Sequence, residues 1–171
     1  MHPIDVFISF GFKKMLQISK LSDYSVIILA MMGSSDVRCH SAATMAERTR
    51  LATSTVSKCL KLLCAAQLVV SERGSKGGYQ LAKPLTDIRL LDVIRAIDGD
   101  VQLTQCVSVG SDCCLQGQCE FRPNWQVVNE QMVQLLADIS LQQMTPTSLI
   151  SGEFPMFHQP MMSSCLQGES L

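Results

Sequence analysis

The sequence predicts a mainly α-helical fold: a winged helix-turn-helix with a small β-hairpin wing, then a cysteine-rich loop and one long C-terminal helix. Two helical patterns joined by a short turn, with a glycine-rich hairpin pattern directly after them, predict the winged-helix part. A chain of 171 residues is long enough to bury one sizeable core. We divide it into an N-terminal extension (1–14), a winged-helix domain (15–100), a cysteine-rich loop (101–122), a dimerisation helix (123–145) and a mobile tail (146–171).

Charge is divided unevenly along the chain, although the formal net charge is only -1. Residues 43–83 carry seven basic and two acidic side chains, whereas residues 99–145 carry one basic and five acidic side chains. A basic half joined to an acidic half that bears cysteines indicates a module that binds a polyanion and a separate control element.

The N-terminal residues 1–14 show neither a helical nor an alternating pattern, and they end rather than begin with lysines. This is the wrong polarity for a secretory signal. The apolar run at 26–32 is far too short to span a bilayer. We therefore expect a cytoplasmic protein without a membrane partner.

Three helical patterns occupy the first half of the winged-helix domain. Apolar residues on one broad face predict a first helix over 22–32, with capping oxygens at its first two residues. Ser41 can cap a short second helix, and Thr53 can cap a longer third one. The turn at 49–52 between them predicts a helix-turn-helix. A plain helical hairpin is the alternative at this point, because such hairpins are common.

The segment 68–81 predicts a β-hairpin, because two short strands rich in Val, Leu and Tyr flank a Gly-Ser-Lys-Gly-Gly turn. A hairpin directly after a helix-turn-helix makes a winged helix, whose second helix enters the major groove of double-stranded DNA. Small hydroxyl side chains and cations can meet base edges and phosphates. The candidate DNA-binding residues are Thr53, Ser54, Thr55, Ser57 and Lys58 on the helix, and Arg73 and Lys76 on the wing. A merely solvated basic face is the alternative.

Two further helices are predicted after the wing. Apolar spacing predicts one over 87–97, closed by Asp98 and Gly99. Pro123 fits the first turn of a long last helix over 124–139, which carries apolar residues at spacings of three and four. This apolar stripe needs a partner, which is either the core of the same chain or a second copy in a homodimer.

Four of the eight cysteines lie within residues 106–119, separated by Gly, Ser, Asp and Gln. Thiolates select soft metals, so this loop predicts an iron-sulphur cluster or a structural zinc ion. A disulfide is an alternative, but it requires an oxidising compartment. A thiol redox enzyme is another, but the loop has no Cys-x-x-Cys in a strand–helix context and no histidine that can be placed beside it.

Together these motifs resemble the winged-helix regulators of the IscR and NsrR type, and among them the regulators of the SUF iron-sulphur assembly operon. The resemblance runs from about Met15 to Met144. Its carriers are Ile18-Ser-Lys-Leu-Ser-Asp-Tyr24, Arg73-Gly-Ser-Lys-Gly-Gly-Tyr79 and Cys119-Glu-Phe-Arg-Pro-Asn-Trp125. It implies a homodimeric DNA-binding regulator, a repressor of iron-sulphur cluster assembly genes, which is controlled by a 2Fe-2S or 4Fe-4S cluster.

The resemblance also implies the cluster ligands. The three thiolates of the family fall on Cys106, Cys113 and Cys119 of this sequence. Cys114 lies one residue out of register and is a possible substitute for Cys113.

The fourth ligand departs from the IscR pattern. The IscR-type histidine position is occupied by Arg122, which stays protonated and cannot bind a metal. The NsrR-type alternative is an aspartate of the partner subunit, and Asp23 occupies that place. A helix-capping carboxylate is the other reading of Asp23. A second departure is Arg50, which stands where a helix-turn-helix often has glycine.

Overall fold

The computed structural model describes residues 18–74, 77–104 and 119–147. These residues form six helices and one two-stranded antiparallel hairpin, which confirms the predicted mainly α fold. The predicted extension at 1–14 and nearly all of the predicted tail lie outside the described residues. In chain order the elements are α1 (Lys20–Gly33), α2 (Ala42–Thr49), α3 (Thr53–Ala65), β1 (Val69–Glu72), β2 (Gly78–Leu81), α4 (Leu90–Asp98), α5 (Arg122–Asp138) and α6 (Leu141–Met144).

Helix α1 begins earlier than the sequence predicts. Its N-cap is Ser19, whose hydroxyl accepts a hydrogen bond from the Ser22 backbone N–H at 3.1 Å. The predicted start at Ser22 is therefore wrong, and Ser22 is a fully buried residue within the first turn. Because Ser19 caps the helix, the N-cap position is not filled by Asp23, which is exposed in that turn.

The helix-turn-helix comprises α2 and α3. Ser41 caps α2 as predicted, since its hydroxyl accepts a hydrogen bond from the Thr44 N–H at 3.0 Å. Arg50 ends α2 in the left-handed conformation, with φ 56. The predicted cap at Thr53 is wrong, because Thr53 is the first helical residue and Ala52 stands at the N-cap without a side-chain hydrogen bond.

Replacing Arg50 by glycine should stabilise the fold, because a side chain with a Cβ disfavours left-handed backbone. We expect Arg50→Gly to raise the free energy of unfolding by about 1 kcal/mol. Urea denaturation measures this change. Arg50→Ala is the control, because it removes the long side chain and keeps the Cβ, and it should bring no such gain. Equal stability of the two variants would contradict the explanation.

The wing is joined to the segment ahead of α2. Strands β1 and β2 pair from Val69 opposite Leu81 to Glu72 opposite Gly78. His40 extends this pairing, since it exchanges two backbone hydrogen bonds of 2.8 Å with Tyr79. A Cβ at residue 78 would lie 2.6 Å from the His40 carbonyl oxygen, so only glycine allows this close approach. The wing is therefore fixed to the helix-turn-helix.

The core lies between α1, α3, α4 and the short C-terminal helix α6. Its fully buried large side chains are Ile28, Leu29, Met45, Val56, Leu60, Leu63, Val69, Ile88, Val93 and Leu141. The residues after α5 return to this core, where the Leu90 N–H donates to the Ile139 carbonyl and the Leu141 N–H donates to the Ile88 carbonyl, both at 2.9 Å. The segment 123–145 is thus divided into two helices rather than one, because Ile139 and Ser140 are extended and pair beside α4.

Candidate nucleic-acid interface and metal centre

Helix α3 has one buried and one exposed face. Val56, Leu60 and Leu63 point into the core, at the three- and four-residue spacing of an amphipathic helix. Of the predicted DNA-binding residues on this helix, Thr53, Ser54 and Lys58 are exposed, while Thr55 and Ser57 are half-buried. The outward face therefore presents hydroxyls and a cation at the beginning of the helix.

The N-terminus of α3 offers backbone donors as well. Ala52 cannot cap the helix with its side chain, and the first turn contains no acidic residue. The first N–H groups of a helix have no partner within the helix, and the helix dipole makes this end positive. A phosphate group of DNA is a suitable partner for such an end.

The wing carries Arg73, which is exposed directly after β1. On the same hairpin Gln80 donates a hydrogen bond of 2.7 Å from its side chain to the Glu72 carboxylate. The other predicted wing residue, Lys76, lies outside the described residues.

Two exposed cations near these residues are not among the DNA-binding candidates that the sequence predicts. Arg50 lies in the turn of the helix-turn-helix, and Lys61 lies on α3 three residues after Lys58. Residues three apart on a helix are neighbours, so this spacing could have identified Lys61. Both extend the basic surface formed by α3 and the turn before it.

His40, between the wing and α2, is buried, and its Nε2 atom has no hydrogen-bond partner within residues 18–74, 77–104 and 119–147. Burial lowers the pKa of His40 below its ordinary value of 6.5, and the positive charge of Arg48 lowers it further. A hydrogen bond with the Val37 backbone acts in the opposite direction. His40 is therefore neutral in the folded protein at neutral pH.

We expect acid to destabilise the fold through His40. As the pH falls below about 6.5, the unfolded chain takes up a proton at His40 before the folded chain does, so the free energy of unfolding decreases. Thermal unfolding between pH 5 and 8 measures this slope. His40→Phe, which cannot be protonated, should show a smaller decrease. A variant with the same slope as the wild type would exclude His40 as the cause.

Cys119 lies on the turn that leads into α5, and it is half-buried with a free thiol. Its backbone carbonyl accepts a hydrogen bond from the Arg122 N–H at 3.2 Å. The other predicted thiolate ligands, Cys106, Cys113 and Cys114, lie outside the described residues. Of the ligand set, the structure therefore describes Cys119 and Asp23.

Both ends of the cysteine-rich loop are attached to the first half of α5. At the entry, the Leu103 N–H donates a hydrogen bond of 2.9 Å to the side-chain oxygen of Asn129, a buried residue of α5. At the exit, Cys119 leads directly into α5. Residues 122 and 129 are about 10 Å apart along a helix axis, so the two described ends of the loop are attached to the same half of α5.

Arg122 provides a test of whether this region suits an iron-sulphur cluster. Its Nε atom is buried and has no hydrogen-bond partner among the described residues. A cluster held by three thiolates and a carboxylate would be anionic, and a buried guanidinium donor three residues after the last thiolate in the sequence suits an anionic group. The residues that the structure describes here are thus compatible with such a cluster, although Arg122 itself cannot be a ligand.

The structure describes three further thiols, all in the winged-helix part of the chain: Cys39, Cys59 and Cys64. Burial raises the pKa of the Cys59 thiol on α3, so this group stays protonated and unreactive at neutral pH. Its sulphur lies 3.8 Å from the Leu21 carbonyl oxygen of α1. Cys59 is a core residue, whereas Cys39 and Cys64 are half-buried.

Helix α3, whose first N–H groups have no side-chain cap, is the recognition helix. Together with the wing fixed to the helix-turn-helix it defines a winged-helix DNA-binding protein. The Rrf2 family, described as iron-dependent transcriptional regulators, matches residues 18–147. The chain belongs to this family and is a DNA-binding transcriptional regulator rather than an enzyme. None of the helices in residues 18–74, 77–104 and 119–147 has the length and apolar character that are needed to cross a bilayer.

Several known proteins are similar to this chain. It is 28% identical to the transcriptional regulator NsrR of Oceanobacillus iheyensis over 140 residues, which are 81% of this chain and 92% of that protein. It is 32% identical to IscR of Vibrio atlanticus over 99 residues, 58% of this chain and 57% of that protein.

Solved structures show the same fold. The structure of IscR from T. potens has a TM-score of 0.53 at 26% identity, covering 75% of this chain and 85% of that one. The structure of CymR, the global cysteine regulator of B. subtilis, has a TM-score of 0.58 at 23% identity, covering 76% of this chain and 96% of that one.

Proposed function

We propose that this protein is a homodimeric repressor of iron-sulphur cluster assembly genes, whose affinity for operator DNA depends on a cluster bound by the cysteine-rich loop. The observation that carries the proposal is the attachment of both loop ends to the first half of α5, through Asn129 and Cys119. The family description and the similarity to NsrR along nearly its whole length support it. Operator binding would place the protein in the cytoplasm.

The proposed cluster ligands are Cys106, Cys113 and Cys119 of one subunit and Asp23 of the other, with Cys114 as a possible substitute. When bound, the cluster would connect these segments through strong metal bonds that oxidants can break. Exposure of Asp23, and the presence of Ser19 at the N-cap, support a role for Asp23 outside its own helix. Arg122 would donate a hydrogen bond to this anionic group.

The homodimer is proposed from the surface of α5. This helix has 17 residues, and Asn129 is the buried residue among them. Its exposed apolar side chains lie mainly on one stripe, which a second copy of the chain can cover. The exposed apolar residues on and beside α5 are Phe121, Trp125, Val127, Val128 and Leu135.

In the proposed complex each α3 enters the major groove, with Thr53, Ser54, Thr55, Ser57 and Lys58 as the candidate contacts. The wing residues Arg73 and Lys76 would reach the adjacent minor groove, since a narrow minor groove attracts arginine. Two recognition helices in a homodimer would bind two half-sites about one helical turn apart.

The DNA contacts can be separated by substitution. We expect Arg73→Ala to weaken binding to an operator, selected from a pool of random duplexes, by roughly 1–3 kcal/mol if Arg73 makes a specific groove contact. Lys58→Ala should instead weaken binding to all sequences alike and reduce the salt slope by about one, if Lys58 contacts phosphate. Gel-shift titrations at several salt concentrations measure both effects. Unchanged affinity and salt slope in Arg73→Ala would remove the wing from the binding surface.

The cofactor is tested by anaerobic purification followed by iron and sulphide analysis. A cluster gives visible absorption with comparable amounts of iron and sulphide, whereas a structural zinc site is colourless. Zinc without iron in the anaerobic protein would contradict the proposal.

A further inference from the structure

The N-terminus of α1 and the C-terminus of α4 are joined by one carboxylate. The Ser22 hydroxyl donates a hydrogen bond of 2.7 Å to Oδ2 of Asp98, and the Ser19 N–H donates one of 3.3 Å to the same oxygen. Asp98 is the last residue of α4, whereas Ser19 is the N-cap of α1, so residues about 76 positions apart meet at one oxygen atom. Ser22 is fully buried at this junction.

The charge of Asp98 suits α1 and not its own helix. A negative charge at the C-terminus of α4 meets the negative end of that helix dipole, whereas the N-terminus of α1 is positive. The contact with α1 therefore offsets an unfavourable position within α4. The position of the Asp98 side chain therefore depends on the position of α1. A shift of either helix end would break two hydrogen bonds to the carboxylate.

This junction lies between the proposed sensor and the DNA-binding helix. On one side, Ser22 directly precedes Asp23, and α1 packs against α3, where the Leu21 carbonyl contacts Cys59. On the other side, Asp98 is followed by Gly99, whose φ is 85. The chain then runs to Leu103, whose N–H is hydrogen-bonded to Asn129 at the loop entry. The carboxylate thus connects the turn that carries Asp23 to the chain that enters the cysteine-rich loop.

We infer that Asp98 is a positioning residue that couples the state of the cysteine-rich loop to the position of α1, and through α1 to the recognition helix. This inference rests on the proposed function. A displacement of the loop entry reaches the first turn of α1 through the Asp98 carboxylate, because both helix ends share that oxygen. Asp98 does not touch DNA or the cluster in this role.

The test compares the DNA dissociation constants of the cluster-loaded and cluster-free protein. Asp98→Asn keeps an oxygen that can accept the Ser22 hydrogen bond but removes the charge, and Asp98→Ala removes both. Asp100→Asn is the matched control: it removes a charge two residues away, which pairs with Arg95 at 3.4 Å, and leaves the junction intact. Iron content and thermal midpoint are measured for every variant.

We expect the wild type and Asp100→Asn to show the same ratio between the two dissociation constants, roughly fivefold or more. In Asp98→Ala the ratio should move towards one, with the iron content unchanged and the cluster-free affinity within about twofold of the wild type. Asp98→Asn should fall between them, and it serves as the test if Asp98→Ala does not fold. A lower thermal midpoint with the full wild-type ratio would show a purely structural residue and overturn the inference. A wild-type ratio of one would contradict the proposed function itself.

Discussion

Val128→Asp is expected to convert the proposed homodimer to a monomer without unfolding the chain. Val128 is 45% exposed in the single chain, so an aspartate there meets water in the monomer. In the proposed dimer the same carboxylate would be buried among apolar side chains, at a cost on the order of 3–5 kcal/mol, or roughly two to four orders of magnitude in dimer affinity. Sedimentation analysis measures the mass, and DNA affinity should fall with it because a monomer binds one half-site.

Gln126→Asp is the matched control for the dimer. It places the same charge on an exposed position of the same helix, about 160° around the axis from Val128. We expect this variant to remain dimeric and to bind DNA like the wild type. A dimer of unchanged stability in Val128→Asp would show that this face of α5 is not the dimer interface.

Cys119→Ala is expected to remove the proposed cluster and leave the fold intact. The residue lies half-buried on the turn before α5, outside the core, so its truncation should cost little stability. Loss of one of three thiolates leaves too few soft ligands for the iron, and the iron content should fall to nearly zero. Iron analysis and visible absorption of the anaerobic protein measure the loss.

Cys64→Ala provides the comparison, because Cys64 is also a half-buried free thiol but belongs to α3 and not to the proposed ligand set. This variant should keep its full iron content. Asp23→Ala should keep the dimer and the cluster-free DNA binding but change the spectrum of the cluster. If Asp23→Ala leaves the spectrum unchanged and Cys114→Ala loses the cluster, the fourth ligand is that neighbouring thiolate.

The parts of the fold that depend on neighbouring residues could be predicted from the sequence. Ser41 caps α2 as its local pattern indicates, and the hairpin follows from the glycine-rich turn. The sequence misplaces the beginning of α1, because Ser22 has the residue type of a cap but is hydrogen-bonded to Asp98 on a distant helix. A contact between residues about 76 positions apart leaves no periodic signal in the sequence.

The same distinction holds for the candidate site. The exposure of Thr53, Ser54 and Lys58 could be predicted from the helical spacing of α3. The fixing of the loop entry by Asn129 could not, because an asparagine within an amphipathic helix usually lies on the solvated face. The sequence also does not indicate the return of Leu141 to the core, because the four residues of α6 are too few to establish a helical period.

The dependence of DNA affinity on the cluster is the central claim, and one measurement tests it most directly. The same preparation is titrated with selected operator DNA under anaerobic conditions, first with its cluster and then after the iron has been removed by a chelator. We expect the two dissociation constants to differ by roughly 5- to 150-fold, the usual range of coupling between two sites. Equal affinities in the two states, with the iron fully present in one and absent from the other, would contradict the account.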